Sequence, residues 1–324
     1  MKRFKNILYV NEPTVDQTSA VGRAVSLAEN NQADLSIVDV IPPQVVMAGV
    51  GLTPGGPISN DLRTAIESDH RKAMESMVQA YKERLQIRLK VLVGKTYLEA
   101  IRAVLKNEYD LLIKPAEDPT WTNRLFGSDD LHLLRKCPCP VWLMKPSEKP
   151  NYSSILAAVD FDPLDPIWSE HNLNREILEL AAALAHSDFA SLHIVHAWEA
   201  PAEKILMSRG EISMDGLASY VIREHERHRR ELYRLGEKLR SWIGKEAYGY
   251  LSPRFHLPKG QAKKTVPLLA AGLQADIIVM GTVARTGISG LIIGNTAETI
   301  LDQLTCSVLA IKPPGFKTPV QLNE

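Results

Sequence analysis

Short apolar runs rich in Val, Ile and Leu punctuate this chain. Between them lie longer segments whose apolar positions recur at helical spacing. In the second half the short runs fall near 154–160, 191–198, 252–257, 275–281 and 306–312. Helical periodicity fills about 174–187, 213–244, 261–273 and 295–304. Short strands alternating with helices argue for βαβ units and a parallel sheet, with five strands expected in each half. The segment 213–244 is the most polar of the helices. Arg223–Arg230 is entirely charged or histidine, whereas Leu217, Tyr220, Val221, Leu232, Leu235 and Leu239 supply one apolar stripe. A long amphipathic surface helix satisfies both observations.

The same pattern occurs twice. Asn6–Thr14 (NILYVNEPT) resembles Ser154–Asp162 (SILAAVDFD), and Ala33–Pro43 (ADLSIVDVIPP) resembles Ala190–Pro201 (ASLHIVHAWEAP). Tyr109–Pro115 (YDLLIKP) resembles Ala275–Gly281 (ADIIVMG), and Cys139–Pro146 (CPVWLMKP) resembles Cys306–Pro314 (CSVLAIKPP). Matches in one order, at a period of roughly 150–170 residues, indicate a duplicated domain and not a solenoid. The Pro- and Ser-containing stretch Lys145–Ser154 reads as the linker. The expected domains are therefore 1–146 and 152–314, followed by a tail at 315–324. The first half also carries a Gly/Pro-rich stretch, Pro42–Ser59. It either closes over a ligand or serves only as a long connection.

Composition narrows the class without naming a chemistry. The chain has 324 residues, 45% hydrophobic and 23% charged, with a formal net charge of +0. That describes a globular protein with a full core and gives no reason to expect nucleic acid or an acidic membrane as partner. No apolar run is long enough to span a bilayer. The start, MKRFKNILYVNEPT, has too short an apolar stretch for a secretory signal, so a cytoplasmic location is expected. Three cysteines make no disulfide framework.

The segment with the most specific chemistry is Gly281–Glu298 (GTVARTGISGLIIGNTAE), directly after the run ending in Met280. A strand ending in glycine, a glycine-spaced loop and a helix start together form a local cradle for phosphate. Main-chain N–H groups can approach an anion there, and the helix dipole favours one. No G-x-x-x-x-G-K-[ST] and no G-x-G-x-x-G after a strand is present. The glycines Gly281, Gly287, Gly290 and Gly294 could instead simply permit a long turn. Against this, Gly294-Asn295-Thr296 can open a helix with its capping groups free, and Arg285 inside the loop can neutralise phosphate charge.

The spacing resembles the glycine signature of the universal stress protein family, G-x2-G-x9-G-[ST]. Gly281 matches the first glycine and Gly294 the third; Ala284 stands in the second place and Asn295 in the last. Two such domains in one chain resemble the tandem members of that family. The resemblance implies two doubly wound, five-stranded, Rossmann-like parallel-sheet domains, with ligand at the carboxyl ends of the strands. It also implies an intramolecular pseudo-dimer made by pairing the last strands, Val141–Lys145 and Val308–Lys312, and leaves room for a further homodimer. By the same resemblance Asp160 would stand near adenine and ribose, the Val159 main chain would read a base edge, and Ala197 would face the base. Met280 would precede the phosphate loop. Asp160 is equally well explained as a strand-end turn residue. In the first half the corresponding loop begins Lys114-Pro115-Ala116-Glu117-Asp118, and Asn11 and Glu12 replace Asp160. Proline removes a donor and the acids repel phosphate, so this half should be degenerate for ATP although it retains Gly127-Ser128.

Other candidates read as structural. His225 and His228 lie three apart on the long helix and could contribute to a zinc site only with ligands from elsewhere. Cys137-Pro138-Cys139 lacks the C-x-x-C redox spacing and reads as small buried residues entering a strand. His193 and His196 would fall on opposite strand faces and suit packing roles. No G-x-S-x-G, H-E-x-x-H or nucleophile–base signature is present. The expectation is a stress-response regulator binding ATP, with Mg²⁺ if the triphosphate binds, in its second domain, and at most a weak ATPase. The rivals are a nucleotide-independent protein-interaction scaffold and a pocket retuned for another metabolite or lipid-like ligand.

Overall fold

The computed structural model describes residues 4–43, 57–117, 127–145, 148–164, 172–209, 213–282 and 294–322. The first repeat runs β1 (Asn6–Val10), α1 (Thr18–Asn31), β2 (Asp34–Ile41), α2 (Pro57–Met77), β3 (Ile87–Val93), α3 (Thr96–Asn107), β4 (Leu111–Pro115), α4 (Ser128–Lys136) and β5 (Val141–Met144). The second runs β6 (Ser154–Ala158), α5 (Asn172–Asp188), β7 (Ser191–Val195), α6 (Glu203–Arg209), α7 (Met214–Ile243), α8 (Lys245–Leu251), β8 (Arg254–His256), α9 (Ala262–Gly272), β9 (Ile277–Gly281), α10 (Asn295–Leu301) and β10 (Ser307–Ile311).

The five strands expected in each half are present, and each expected second-half helix has a counterpart. Two short helices, α6 and α8, were not foreseen. Gly244, at φ 89°, ends α7 in a conformation that side-chain-bearing residues rarely adopt, and α8 starts immediately after it. β2, β4 and β10 are buried almost from end to end, as strands covered on both faces must be. The edge strand β3 instead alternates, with Arg88 and Lys90 exposed, which discourages further strand addition.

Packing divides the chain into two units. One holds the first repeat with Thr282, Gly294 and residues from Ser307 onward; the other holds Asn151–Gly281 and Asn295–Cys306. Strand order in the first is β3-β2-β1-β4-β5-β10, and in the second β9-β6-β7-β8. All ladders are parallel except β5 with β10, which pairs Val141 with Ala310, Trp142 with Leu309 and Leu143 with Val308. The last strands of the two repeats thus pair within one chain, which removes the free edge each would otherwise present. Lys145 N–H donates to Ser307 Oγ at 3.0 Å, and the Ser307 hydroxyl donates to Glu148, fixing the end of this ladder.

The duplication also persists in detail. Asp110 accepts from Lys5 N and Asn6 N at 2.7 and 3.1 Å, anchoring the start of β1. Asp276, its counterpart, accepts from Ser153 N and Ser154 N at 2.7 and 3.1 Å at the start of β6. Each carboxylate satisfies main-chain donors that no ladder reaches.

Candidate functional site

In the second unit Ala158 is in register with Val195 on one side and Met280 on the other. The residues after these positions therefore emerge together at the carboxyl edge: Val159 and Asp160 from β6, His196 and Ala197 after β7, Gly281 from β9. The chain runs β6, β7, β8 outward and then returns to the opposite side of β6 for β9. That reversal makes the crevice between β6 and β9 a topological switch point, where open α/β sheets place ligands.

Asp160 is exposed, Ala197 half-buried and Met280 buried. Asn295 and Thr296 are exposed at the start of α10, and Gly294 N–H donates to Thr282 O at 3.1 Å. Arg285, Gly287 and Gly290, with Ala284, lie outside the described residues, as do residues 44–56 of the stretch 42–59.

Several of these positions already have internal partners. Val159 N–H donates to Val195 O at 3.0 Å, and Val159 O faces His196 Nδ1 at 3.4 Å. Asn174 binds both main-chain groups of Asp160, donating to its carbonyl at 2.8 Å and accepting from its N–H at 3.2 Å. Leu173 covers Gly281: a Cβ there would stand 2.9 Å from Leu173 Cδ2. Leu173 and Asn174 come from the first turn of α5, and nothing in their sequence context announced either contact.

A histidine–aromatic cluster lies beside this edge. His196 Nε2 and His228 Nδ1 are 2.9 Å apart, which joins β7 to α7, and Phe161 stacks on His196 with centroids 3.7 Å apart. Trp198 lies 5.8 Å from His228 and 5.4 Å from His225. A second pair, His193 Nδ1 with His256 Nε2 at 2.9 Å, links β7 to β8. Burial, then the His228 charge, pushes His196 down to about 3. Burial, with His256 and Arg254, pushes His193 down to about 4. Both histidines therefore do pack internally, each through a specific ring partner. His228 is committed to His196, and no group of three or more His, Cys, Asp and Glu suited to a metal occurs among the described residues.

The first repeat holds a different arrangement at the corresponding edge. Lys114, fully buried at the end of β4, lies 2.8 Å from Glu12, 2.8 Å from Asp130 and 3.8 Å from Glu117. Asp130 also accepts from Glu117 N at 2.9 Å and Gly127 N at 3.1 Å. An ammonium and two main-chain N–H groups, one of them at a helix start, form the donor set of an anion site. Here the anion is the protein's own carboxylate. Burial alone would lower the Lys114 ammonium, but Asp130 and Glu12 outweigh it and hold it above its ordinary range. Glu117, crowded by burial and by Asp130, is pushed up to about 7. Its carboxyl fills the space over Gly127, where a Cβ would fall 1.6 Å from Glu117 Oε2. Sequence reasoning named Glu12 and Glu117 but missed Lys114 and Asp130, and Asp118 lies outside the described residues. The available signal was a lysine ending the apolar run Leu111-Leu112-Ile113, where the other copy has Met280.

Lys312, just past β10, was also missed. It donates to the Leu134 carbonyl and to Thr282 Oγ1 at 2.6 Å. Burial pushes its ammonium down to about 8. The Leu134 carbonyl belongs to the last turn of α4, the end of a helix that favours a cation.

Two doubly wound α/β modules in tandem, each with its polar groups gathered at the carboxyl edge of its strands, define a duplicated α/β fold. The sequence profile of the Universal stress protein family matches residues 3–145 and 151–312, and the chain belongs to that family as a tandem member. It is 29% identical over 341 aligned positions to Universal stress protein E of Escherichia coli K12, covering 100% of this chain and 99% of that one. It is 30% identical over 340 positions to the protein of the same name from Salmonella typhi. A functionally unknown protein from Pseudomonas aeruginosa PAO1 superposes with TM-score 0.68 at 25% identity, covering 96% of this chain and 93% of that one. A universal stress protein from Archaeoglobus fulgidus DSM 4304 has the same fold, with TM-score 0.60 at 16% identity over 95% of this chain and 98% of the other.

Proposed function

We propose that this stress-response protein is a cytoplasmic regulator whose second domain binds an adenine nucleotide. The observation that carries the reading is the register of β9, β6 and β7, which brings Gly281, Asp160 and Ala197 to one sheet edge at the switch point. Directly after Gly281 comes the glycine-spaced segment ending in Gly294, Asn295 and Thr296. The exposed Asp160 carboxylate suits a ribose hydroxyl, and the Asn295 amide and Thr296 hydroxyl can donate to phosphate oxygens. Leu173 must move from Gly281, or the phosphates must lie beyond it.

These residues fit ATP through main-chain and neutral donors, with Arg285 as the cation of the loop. Mg²⁺, when the triphosphate binds, would neutralise phosphate charge. On this reading any hydrolysis is slow and regulatory. The self-filled cradle of the first repeat leaves the second as the nucleotide site.

Native mass spectrometry of freshly purified protein, followed by MgATP titration, tests this. One nucleotide per chain is expected, lost in a folded Gly294→Val variant. No binding at millimolar ATP would overturn the proposal and leave the glycine segment as an architectural turn, with the scaffold or other-ligand readings in its place.

A further inference from the structure

The repeat alignment places Asp39 of β2 opposite His196 at the end of β7. Each reaches a histidine on the long helix of its own repeat. Asp39 Oδ2 lies 2.6 Å from His70 Nδ1 on α2, and His196 Nε2 lies 2.9 Å from His228 Nδ1 on α7. Both strand residues are buried. One station in the fold thus carries two chemistries. We propose that this duplicated contact is a strand-to-helix latch, and that in the second repeat His196 and His228 make it open in mild acid, while Asp39 and His70 keep it shut in the first.

The argument is one of proton counting. In the neutral histidine pair one ring donates and the other accepts. His196 Nδ1–H is assigned to Val159 O, which leaves Nε2 to accept from His228 Nδ1–H. The closed pair can take one proton, on His228 Nε2, without losing its hydrogen bond. A second proton would set two N–H groups against each other. Once the helix lifts, both rings are free to charge. Opening therefore takes up at least one proton more than the closed state holds, and acid favours it. Around His228 stand Glu224, Arg227 and His225 of its own helix and Asp162 after β6, with His196 beneath it. Glu224 is itself paired with Arg227 at 2.8 Å, so it is not a dedicated counter-ion for a charged His228. His196 is faced by Phe161, Val159 O and His228. The buried-ring shift of His196 to about 3 agrees with this ordering. In the first repeat the strand residue is the Asp39 carboxylate, which carries no N–H to set against the His70 ring, so the clash of donors has no counterpart there.

Hydrogen exchange of the full chain at pH 7.5 and pH 5.0, corrected for intrinsic rates, reads both latches at once. One extra proton on two rings of ordinary pKa near 6.5 predicts about thirtyfold more opening in α7 peptides at pH 5.0. Peptides of α2 should change less than about threefold by the same reasoning. His196→Asp, which copies the first-repeat pair, should abolish the response. His196→Asn, an acceptor that does not titrate, should do the same and serves if His196→Asp fails to fold. Equal loosening of α2 and α7, no loosening of α7, or a response surviving in His196→Asn would each overturn the proposal. The last outcome would assign the effect to groups other than the His196–His228 pair, such as His193 and His256, which that variant leaves intact.

Discussion

Replacing Lys114 by Met, the residue its counterpart position carries as Met280, isolates the charge cluster of the first repeat. The ammonium is fully buried, with Glu12 and Asp130 each at 2.8 Å and Glu117 at 3.8 Å. Asp130 is equally buried, so it cannot recover its lost partner from water. Removing one member of such a set leaves uncompensated buried charge, which costs about 3–5 kcal/mol. Main-chain N–H groups of Glu117 and Gly127 still hold Asp130, which places the expectation in the lower half of that range. The sign with pH follows directly. Without the ammonium, Glu12 loses the attraction that outweighs its burial and its folded-state pKa rises, while Glu117, already raised to about 7, rises further. Their contribution is then complete at low pH and lost as pH rises, so the deficit of Lys114→Met should be largest at pH 8 and shrink toward pH 5. Slow amide exchange in β1 and β4 reports the stability of this unit without requiring the two-domain chain to unfold in one step. The double variant Lys114→Met, Asp130→Asn should recover more than half the loss, because the orphaned charge goes with its partner. A loss below about 1 kcal/mol at pH 8, or one equal at both pH values, would refute the buried-charge account.

Two further outcomes follow from the same geometry. Glu117, held at about 7, takes up a proton on folding; its contribution is complete below its unfolded pKa and lost as pH rises through 7. Glu117→Gln should therefore stabilise the first unit at pH 8 by about 1–2 kcal/mol, after discounting for its partial exposure, and by little at pH 4, measured by the same exchange. Asp276→Ala should lower the stability of the second unit by about 2–3 kcal/mol, read from slow amide exchange in β6 and β9, because two main-chain donors at the start of β6 lose a buried charged acceptor. Asp110→Ala should cost less, since its contact to Lys5 N is exposed.

The duplication, the ten strands and the long α7 were legible because each rests on local pattern. β-branched runs bounded by turns form strands wherever a sheet can cover them, and the stripe Leu232, Leu235, Leu239 can be buried on only one helical face. Pairing of the last strands was also expected, since β5 and β10 would otherwise end as exposed edges. The short helices α6 and α8 escaped because a single turn or two leaves too few positions to show a period.

The chemistry at the sheet edges followed a different rule. Glu117 and Gly127 could be read as parts of a spoiled phosphate loop, but the centre of the cluster is Lys114, held by Glu12 just past the carboxyl end of the neighbouring β1. His196 and His228 stand on separate elements, and only the packing of α7 against the end of β7 brings their rings to 2.9 Å. Leu173 over Gly281 and Asn174 on Asp160 likewise depend on where the first turn of α5 lands. Sequence by itself determined the repeated module, its strands and the edge at which a ligand would be sought, because periodicity and turn chemistry act between near neighbours. Tertiary structure alone decided which buried charges and rings meet there, because a contact of a few ångströms between distant residues exists only once the sheet has set their register.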